Sequence, residues 1–553
     1  MPAVGRRGRD AVLEVLRSEG VTHLFGNPGT TELPLLDALV EHDGPRYVLA
    51  LQEATAVGMA DGYAMATGRP AVLNLHTSAG LGNAVGNLTN AAANRTPLVV
   101  TAGQQDRRHR HHDPLLSGDL VGIASPTCKV ATEVTSLDGL GTVLRRAFTD
   151  AVSPPAGPVF VSLPMDLLDE VGDAPVPPRS RVERAAVGAG LATVAERLVG
   201  SAPERVALVA GDEVAAAGGV DALVALAEVI GCRVHGSPLH STTVFPTASP
   251  QWAGPLPPSA DGIAKALERY DVVLLVGGQA FLVYHWSPGP ALPEGTALLH
   301  LSPDATAIGR AWPAEIGVVG DPRASLEALL PLVAAAMDPS AAAAARGALA
   351  AAAEEAAAGF AARARARYDD VPTAPAAAAH ALLTALPPDT RVVDEAITTG
   401  TYVRGFHRTT QPGRYFFCRG GGLGWGMPAA LGVSLGAGRE PVLCVVGDGS
   451  AMYSPQALWT AVHEGLPVVF AVVDNREYRI LKGALSARED ASAARGTFLG
   501  MDLDDPPVDF LALARSMGVP GTRVERAGDI GDAVRTALDA GGPALLHLPI
   551  AAR

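Results

Sequence analysis

The chain has 553 residues, too many for one hydrophobic core, so we expect two to four domains. Hydrophobic residues make up 48% and charged residues 18%, which indicates a large buried interior and extensive subunit contacts. The net charge of −14 argues against a nucleic-acid-binding protein.

The cysteines and the chain start favour a cytoplasmic protein. The four cysteines lie far apart and show no metal-ligand spacing, so we expect reduced thiols: Cys128, Cys232, Cys418 and Cys444. The start, MPAVGRRGRDAV, lacks the apolar core of a secretion signal. Apart from weakly apolar Ala-rich stretches, no uninterrupted apolar run reaches the about eighteen residues that a membrane span needs.

Residues 1–182 alternate between predicted helices and strands. This alternation predicts an α/β domain with a doubly wound parallel sheet. The expected helices are Asp10–Glu19, Gln52–Gly68 and Gly80–Asn94, and the expected strands are Val21–Gly26, Tyr47–Leu51, Val72–Leu75 and Leu98–Ala102.

Residues 190–335 repeat the pattern and predict a second α/β domain. We expect strands at Val206–Gly211, Val272–Gly277 and Ala297–Leu301, and a helix that ends at Ile230. Residues 336–372 are Ala-rich with Glu and Arg interspersed, so their helix propensity predicts a helical linker.

Residues 373–553 predict a third α/β domain built around one strand–helix–strand unit. Strand Val442–Val446 runs into a tight turn at 447–450. Ser454-Pro455 is a typical helix start and Gly465 a typical stop. A second strand, Leu466–Val473, follows, so the unit is a right-handed crossover in a parallel sheet.

Polar residues follow the two strands of this unit. Asp448 comes directly after the first strand, and Asn475, 27 residues later, comes after the second. Ligands of open α/β sheets bind at that edge. One carboxylate, one amide oxygen and a backbone carbonyl form the oxygen-only set that Mg²⁺ prefers. The amides of Gly449 and Ser450 are suited to a phosphate. The alternative is an ordinary turn in a nucleotide-binding sheet.

This GDG turn, followed at that spacing by an asparagine, resembles the Mg²⁺–diphosphate motif of thiamine-diphosphate enzymes. Three α/β domains in this order resemble their pyrimidine-binding, central and diphosphate-binding domains. Further segments resemble the benzoylformate decarboxylase family across nearly the whole chain: GNPGTTELP (26–34), ALQEA (50–54), NLHTSAGLGNA (74–84), TAGQQ (101–105), YHWSPG (284–289), CRGGGLGWGMPAA (418–430) and GDGS (447–450).

Glu53 is the candidate acid of such an enzyme. Thiamine diphosphate becomes reactive only when a carboxylic acid bonds its aminopyrimidine ring, and the cofactor then supplies the difficult chemistry. Glu53 is the lone acid between a predicted buried strand and a helix of small residues. The alternative for Glu53 is an ordinary acid that interacts with the helix dipole.

Two histidines are candidates for proton transfer. His76 ends a predicted strand at the same sheet edge as Glu53, and His285 lies between Tyr284 and Trp286. Imidazole can give and take protons near neutral pH. A lone histidine at such a position is more often structural. The resemblance implies that His76 and His285 relay protons during turnover.

The resemblance also implies the remaining roles. Leu423 supports the bent cofactor, and the Gly421 carbonyl accepts a hydrogen bond from its aminopyrimidine. Mg²⁺ is held by Asp448, Asn475 and the carbonyl of Glu477. Other candidate cofactor-binding residues are Asn27, Thr398, Gly449, Ser450 and Tyr478, and candidate substrate-binding residues are Thr30, Leu115, Leu116 and Ile480.

Four positions depart from the family. Thr30 stands where the family has a serine that meets the substrate carboxylate. Gly483 and Ala484 stand where bulky aromatics cover the substrate, so we expect a wider or differently closed pocket. Ile397 replaces a hydroxyl beside the diphosphate. The aromatic or aliphatic nature of the substrate therefore stays open.

The resemblance implies a decarboxylase that converts a small 2-oxo acid to an aldehyde and CO₂, with carboligation as a side activity. The alternative is a carboligase of the acetolactate synthase type, many of which carry FAD in the central domain. In the family Glu53 of one chain faces Asp448 of its partner, which implies a homodimer, commonly paired into a tetramer. We expect the basic segment Arg107–His112 to be a solvated loop.

Overall fold

The computed structural model describes residues 5–488 and 490–552. Within these residues the chain forms three six-stranded sheets, and every strand pair inside them is parallel. Side chains that alternate along a strand enter different hydrophobic clusters: Val72 packs with one cluster and Leu73 with another. Both faces of the sheet are therefore covered, which confirms the predicted three doubly wound parallel-sheet α/β domains.

The first sheet has the order β3-β2-β4-β5-β7-β6. The strands of this part of the chain are β1 (Arg6–Arg7), β2 (His23–Gly26), β3 (Arg46–Leu49), β4 (Ala71–Leu75), β5 (Leu98–Gln104), β6 (Val130–Glu133), β7 (Val159–Pro164) and β8 (Val171–Gly172). The helices are α1 (Gly8–Ser18), α2 (Leu33–Glu41), α3 (Glu53–Thr67), α4 (Thr77–Asn94), α5 (Leu120–Ala124), α6 (Leu137–Val152) and α7 (Met165–Asp169).

The central sheet has the order β11-β10-β9-β12-β13-β14. Its strands are β9 (Val206–Ala210), β10 (Arg233–Gly236), β11 (Trp252–Pro255), β12 (Val272–Val276), β13 (Ala297–Ser302) and β14 (Ile316–Val319). The helices are α8 (Leu191–Val199), α9 (Asp212–Ala216), α10 (Val220–Ile230), α11 (Ala260–Leu267) and α12 (Pro322–Ala334). The Ala-rich segment then forms the long helix α13 (Pro339–Arg365).

The third sheet has the order β16-β15-β17-β18-β20-β19. Its strands are β15 (Arg391–Glu395), β16 (Tyr415–Phe417), β17 (Val442–Gly447), β18 (Val468–Asp474), β19 (Gly521–Arg523) and β20 (Ala544–Pro549). The helices are α14 (Pro375–Thr384), α15 (Gly400–Phe406), α16 (Gly426–Gly436), α17 (Asp448–Ala451), α18 (Ala457–Glu464), α19 (Arg479–Ala487), α20 (Ala491–Arg495), α21 (Phe510–Ser516) and α22 (Ala527–Asp539).

The strand–helix–strand unit of the third sheet differs in part from its prediction. The GDG segment enters the short helix α17, and α18 begins at Ala457, not at Ser454-Pro455. The Ser454 hydroxyl donates to the Gly424 carbonyl at 2.6 Å and accepts from no helix amide among the described contacts. Gly465 ends α18 in the left-handed conformation, as predicted, with φ of 62°.

The first and third domains pack tightly through α3 and α16. A Cβ atom at Gly62 would collide with the backbone of Ala429, and one at Gly432 would collide with the backbone of Met59. Glycine therefore lets the two helices approach at backbone distance. Across the same contact the Trp425 indole donates to Asp61 at 2.7 Å, which fixes the two domains of one chain relative to each other.

The basic segment Arg107–His112 is not simply solvated, so that expectation is wrong in part. The Arg107 guanidinium donates to Asp166 at 2.8 Å and to Glu170 at 2.7 Å. Arg110 pairs with Glu133 at 2.5 Å. These acids come from other parts of the first domain, and their positions relative to the segment are invisible in its sequence.

In the part of the chain that the structure describes, no single helix has both the length and the apolar character to cross a bilayer. The bent pair α12 and α13 meets those two criteria only when the helices are taken together.

Candidate active site

Glu53 lies at the carboxyl edge of the first sheet, where β3 leads into α3. The residue is 7% exposed, and its carboxylate accepts hydrogen bonds from Asn27 Nδ2 at 3.1 Å and Asn83 Nδ2 at 3.0 Å. A Cβ atom at Gly80 would lie 3.0 Å from Glu53 Oε1, so glycine lets α4 approach the acid. Among the described residues no cationic side chain forms an ion pair with Glu53. The acid is thus buried, oriented by neutral amides and not neutralised by a cation.

His76 lies at the same sheet edge, between β4 and α4. Its Nδ1 atom is 2.9 Å from Glu32 Oε2 and 3.2 Å from the Thr31 hydroxyl. A carboxylate can only accept a hydrogen bond, so Nδ1 carries the proton, and in the neutral ring Nε2 is the unprotonated nitrogen that can accept one. Glu32 is itself held by the amides of Gly29 and Gly103, each at 3.0 Å. The histidine is therefore fixed in both orientation and tautomer.

Asp448 and Asn475 follow the neighbouring strands β17 and β18, as predicted. Asp448 Oδ2 accepts from the Arg476 amide at 2.8 Å, and Asn475 Oδ1 accepts from the Glu477 amide at 3.1 Å. Burial, with Asp474 adding to it, raises the pKa of Asp448 to about 7. His547 lies 2.9 Å from Asp474 and favours the ionised form of that neighbour.

The side chain and the backbone carbonyl of Glu477 bond to different groups. The carboxylate pairs with Lys482 at 2.5 Å, and Lys482 also pairs with Asp502. The Glu477 carbonyl accepts from the Arg479 amide at 2.9 Å, which leaves one of its lone pairs for another ligand. The loop after β18 is therefore fixed by α19 and by the chain segment around Asp502.

A turn of residues 420–424, which we call the glycine turn, joins β16 to α16. Gly421 has a φ of 76° and is exposed, and Leu423 is half-buried. The amides of Trp425 and Gly426 donate to the Glu395 carboxylate at 3.0 and 2.9 Å. Glu395 thus caps the start of α16, and burial raises the pKa of this carboxyl group to about 7.

The predicted diphosphate-binding residues lie at the edge of the third sheet. Thr398 follows β15 in a turn whose start is fixed by Asp394, which accepts from the Ala396 amide at 3.0 Å. Ser450 lies in α17. A Cβ atom at Gly449 would lie 2.7 Å from the Tyr478 ring, so the aromatic residue packs directly on the GDG segment.

The predicted substrate residues are more exposed. Leu115 is 85% exposed and Ile480 is 46% exposed. Thr30 is exposed in a short helical turn after the GNPG segment, and Leu116 has a φ of 68°. Their assignment to the substrate stays a prediction.

His285 is also exposed, in the loop after β12. Its ring lies edge-on to Tyr284, with 4.4 Å between centroids, and its backbone pairs with Ser259. These contacts lie within the central domain, so a place for His285 beside His76 stays a prediction.

Residues that sequence reasoning did not single out complete the arrangement: Glu32, Asn83, Asn90, Asp394 and Glu395. Glu32 lies inside the GNPGTTELP segment, and the two acids end a buried strand. A buried acid at the end of a strand was the available signal for Asp394 and Glu395. In the described residues no group of three or more His, Cys, Asp or Glu side chains is placed to hold a metal, so an ion at Asp448 depends on amide and carbonyl oxygens.

The fold and the polar residues at these strand ends are typical of an α/β protein that binds a ligand at the carboxyl edge of its parallel sheets. Three family models match the chain in order: "Thiamine pyrophosphate enzyme, N-terminal TPP binding domain" at residues 6–122, the "central domain" at 191–329, and the "C-terminal TPP binding domain" at 398–548.

The chain belongs to the thiamine-diphosphate-dependent enzyme family. It is 35% identical to benzoylformate decarboxylase of Pseudomonas aeruginosa over 98% of each chain. Acetolactate synthase isozyme 3 large subunit of Escherichia coli is 28% identical over 96% of this chain and 92% of that protein. The resemblance to benzoylformate decarboxylases is thereby confirmed.

Solved structures agree with this placement. A thiamine-diphosphate-dependent 4-hydroxybenzoylformate decarboxylase of Rhodococcus jostii matches with a TM-score of 0.86 and 31% identity over 99% of each chain. Benzoylformate decarboxylase of Polynucleobacter necessarius matches with a TM-score of 0.87 and 28% identity over 99% of each chain. The similarity thus extends through all three domains.

Proposed function

We propose that the protein is a thiamine-diphosphate- and Mg²⁺-dependent decarboxylase that converts a 2-oxo acid to an aldehyde and CO₂. The observation that carries this proposal is the placement of Glu53. This buried carboxylate is held by Asn27 and Asn83, has no cationic partner among residues 5–488 and 490–552, and lies at the same sheet edge as a histidine of fixed tautomer.

The residues present fit the cofactor. When bound, thiamine diphosphate supplies the carbon nucleophile and the electron sink of the reaction. Glu53 would hold a proton at its carboxylate for the pyrimidine ring, and the Gly421 carbonyl and Leu423 would orient that ring. Thr398, Ser450 and Tyr478 would hold the diphosphate end.

The residues present also fit Mg²⁺. Asp448 is 8% exposed, and no cationic side chain in the described ranges pairs with it. Its negative charge lies next to that of Asp474, which adds to the cost of ionising it. A divalent cation would offset this cost. The Asp448 carboxylate, the Asn475 amide oxygen and the Glu477 carbonyl supply the hard oxygen ligands that Mg²⁺ prefers.

The histidines and Thr30 would act on the substrate. Thr30 offers a hydroxyl to the substrate carboxylate. His76 exchanges protons at Nε2, while Glu32 holds the Nδ1 proton and stabilises the positively charged ring. His285 would provide the second exchangeable proton, and Leu115, Leu116 and Ile480 would line the pocket.

The central domain favours decarboxylation over a flavin-containing carboligase. Nucleotides bind open α/β sheets at the carboxyl ends of the strands. At that edge of the central sheet Arg95 pairs with Glu213 at 2.5 Å and with Asp304 at 3.0 Å. Arg419 pairs with Asp212 at 3.0 Å. These interdomain ion pairs lie at the edge where a nucleotide would bind.

We also propose a homodimer, paired into a tetramer, in the cytoplasm. Exposed apolar side chains flank both halves of the site: Leu51, Met452, Tyr453, Ile480 and Leu481 are each 43–57% exposed. A second copy would cover this apolar surface and complete the site. The four free cysteines suit a reducing compartment.

The test is a decarboxylation assay of the purified protein. Protein stripped of metal is supplied with thiamine diphosphate and Mg²⁺, together or singly, and CO₂ release from aromatic and aliphatic 2-oxo acids is followed. We expect turnover only with both additions. Failure to bind thiamine diphosphate in the presence of Mg²⁺ would refute the proposal. A bound flavin spectrum together with condensation of two 2-oxo acids would favour the carboligase.

A further inference from the structure

One face of α4 carries asparagines at positions 83, 87 and 90, which we call the asparagine row. Spacings of four and three residues place these side chains on the same face of a helix. Asparagine is a poor helix former, so three of them on one face imply a specific use. Asn90 is fully buried and Asn87 is 4% exposed, which requires that their amide groups be hydrogen-bonded.

The first end of the row holds the start of α3. Asn83 Nδ2 donates to Glu53 Oε2 at 3.0 Å. One turn further, Asn87 Nδ2 donates to the Ala54 carbonyl at 2.7 Å. The side chain and the backbone around the proposed activating acid are therefore both fixed by α4.

Asn90, at the other end of the row, bonds to the glycine turn of the third domain. Asn90 Nδ2 donates to the Gly422 carbonyl at 2.8 Å, and the Gly422 amide donates to Asn90 Oδ1 at 2.9 Å. Asn90 Nδ2 also donates to Asn87 Oδ1 at 2.8 Å, which links these two members of the row. A Cβ atom at Gly420 would lie 2.5 Å from Asn90 Oδ1, so this close approach requires glycine.

We propose that the asparagine row is a positioning element: it fixes the positions of Glu53 and of the glycine turn, residues 420–424, relative to α4. The proposal rests on the proposed function, because the turn carries Gly421 and Leu423. None of the three asparagines is assigned a contact with the substrate, so they are positioning residues.

A physical reason connects the row to cofactor affinity. Gly420, Gly421 and Gly422 are consecutive, and glycine has the greatest backbone freedom in an unrestrained segment. The two hydrogen bonds to Asn90 order this segment before any ligand binds. Without them, cofactor binding would have to order the turn and would be weakened by that cost.

The first experiment compares Asn90→Ala with Thr89→Ala, a matched control. Thr89 is exposed on the same helix, and its hydroxyl bonds only the Val85 carbonyl among the described contacts. Thiamine diphosphate is titrated calorimetrically into metal-saturated protein, and the Tm of the cofactor-free protein is measured in parallel. We expect Asn90→Ala to weaken thiamine diphosphate binding about tenfold or more, and Thr89→Ala to leave it unchanged.

Gly422→Ala provides a second route if Asn90→Ala does not fold. A Cβ atom there would lie 2.8 Å from Asn90 Oδ1, so the turn must move away from the row while the asparagine remains. We expect a similar weakening of cofactor binding. Wild-type affinity in either variant would overturn the proposal and leave the proposed function standing. A wild-type protein that binds no thiamine diphosphate would overturn both.

The other end of the row is tested with Asn83→Ala. Asn83 is exposed, and its described side-chain bond is to Glu53. We expect kcat to fall about tenfold while the dissociation constant of thiamine diphosphate changes less than about twofold. A purely structural role would lower Tm without this separation. Unchanged kcat in Asn83→Ala would overturn the role at this end.

Discussion

The Glu32 carboxylate lies 2.9 Å from Nδ1 of His76, and its side chain is 1% exposed. Glu32 also accepts from the Thr31 hydroxyl at 2.6 Å and from two backbone amides. These hydrogen bonds fix the Glu32 carboxylate at its buried position. The pair therefore has the arrangement in which an acid orients an imidazole and stabilises its protonated form.

Glu32→Gln should preserve the shape of this site and remove its charge. The amide can present its NH₂ group to His76 and so favour the wrong tautomer. We expect kcat for CO₂ release to fall at least tenfold, with Tm changed by only a few degrees. Steady-state kinetics and thermal unfolding provide the measurements. Glu268→Gln, at an exposed position, is the control. Wild-type kcat in Glu32→Gln would show that His76 does not need this acid.

Glu53→Gln tests the proposed activating acid. The substitution keeps the side-chain size but cannot deliver a carboxylic acid proton. We expect a folded protein whose turnover on its best 2-oxo acid falls at least about a hundredfold. CO₂ release is compared with circular dichroism of the same sample. Turnover near that of the wild type would show that Glu53 has been assigned wrongly.

Metal removal tests the oxygen ligands at Asp448 and Asn475. Dialysis against a chelator should abolish turnover, and Mg²⁺ should restore it. In Asp448→Asn the neutral amide binds Mg²⁺ more weakly, so we expect half-saturation to need at least about tenfold more Mg²⁺. The same titration of the wild type is the reference. Full activity of chelator-treated wild-type protein would exclude this metal site.

Asp61 predicts a pH dependence of stability. Burial raises the pKa of Asp61 to about 6, although hydrogen bonds from the Trp425 indole and the Asn94 amide oppose the shift. The folded state therefore keeps a proton that the unfolded state loses near pH 4. Its contribution to stability is present at low pH and is lost as the pH rises from about 4 to about 6, by at most about 3 kcal/mol.

Asp61→Asn should remove this dependence. The carboxamide can still accept from the Trp425 indole, and Thr96 Oγ1, which has no described partner, can accept from its NH₂ group. We expect the stability of the variant relative to wild type to increase between pH 4 and pH 7, measured by denaturant unfolding. A difference that is constant with pH would contradict the raised pKa.

Alanine substitution should change stability in opposite directions at Gly62, which lies in the contact between α3 and α16, and at Gly347, which lies outside it. At Gly62 the added methyl collides with the Ala429 backbone, so we expect a loss of at least about 2 kcal/mol in the free energy of unfolding. Gly347 lies in α13 with open space around its Cβ position, so alanine there should stabilise by up to about 1 kcal/mol. Denaturant unfolding of both variants tests the difference. Equal effects would refute the close packing.

Local patterns in the sequence were sufficient to predict the fold. The strand after Pro441 and the helix that ends at Gly465 are encoded by an apolar run and a glycine stop, and both are found. The predicted helix start at Ser454 was wrong: the Ser454 side chain bonds to the Gly424 carbonyl, which comes from another part of the chain, and the helix begins three residues later. Local capping rules contain no information about such a partner.

The candidate site was predictable where chemistry and position coincide, as for Asp448 and Asn475 at two neighbouring strand ends. Glu32, Glu395 and Asn90 could not be assigned in this way. Their partners are His76, the start of α16 and the Gly422 backbone, and each contact spans at least 30 residues of chain. Only the folded structure shows which polar groups these side chains satisfy.

Helix α4 reaches Glu53 at one end and the Gly422 backbone at the other, within one chain. In the proposed dimer, Glu53 and the Gly422 backbone of one chain belong to two different active sites, because each cofactor would contact Glu53 of one copy and the glycine turn of the other. A monomer would then contain one half of each of two active sites and no complete site. Dilution below the dissociation constant of the dimer should therefore abolish turnover, although each copy stays folded.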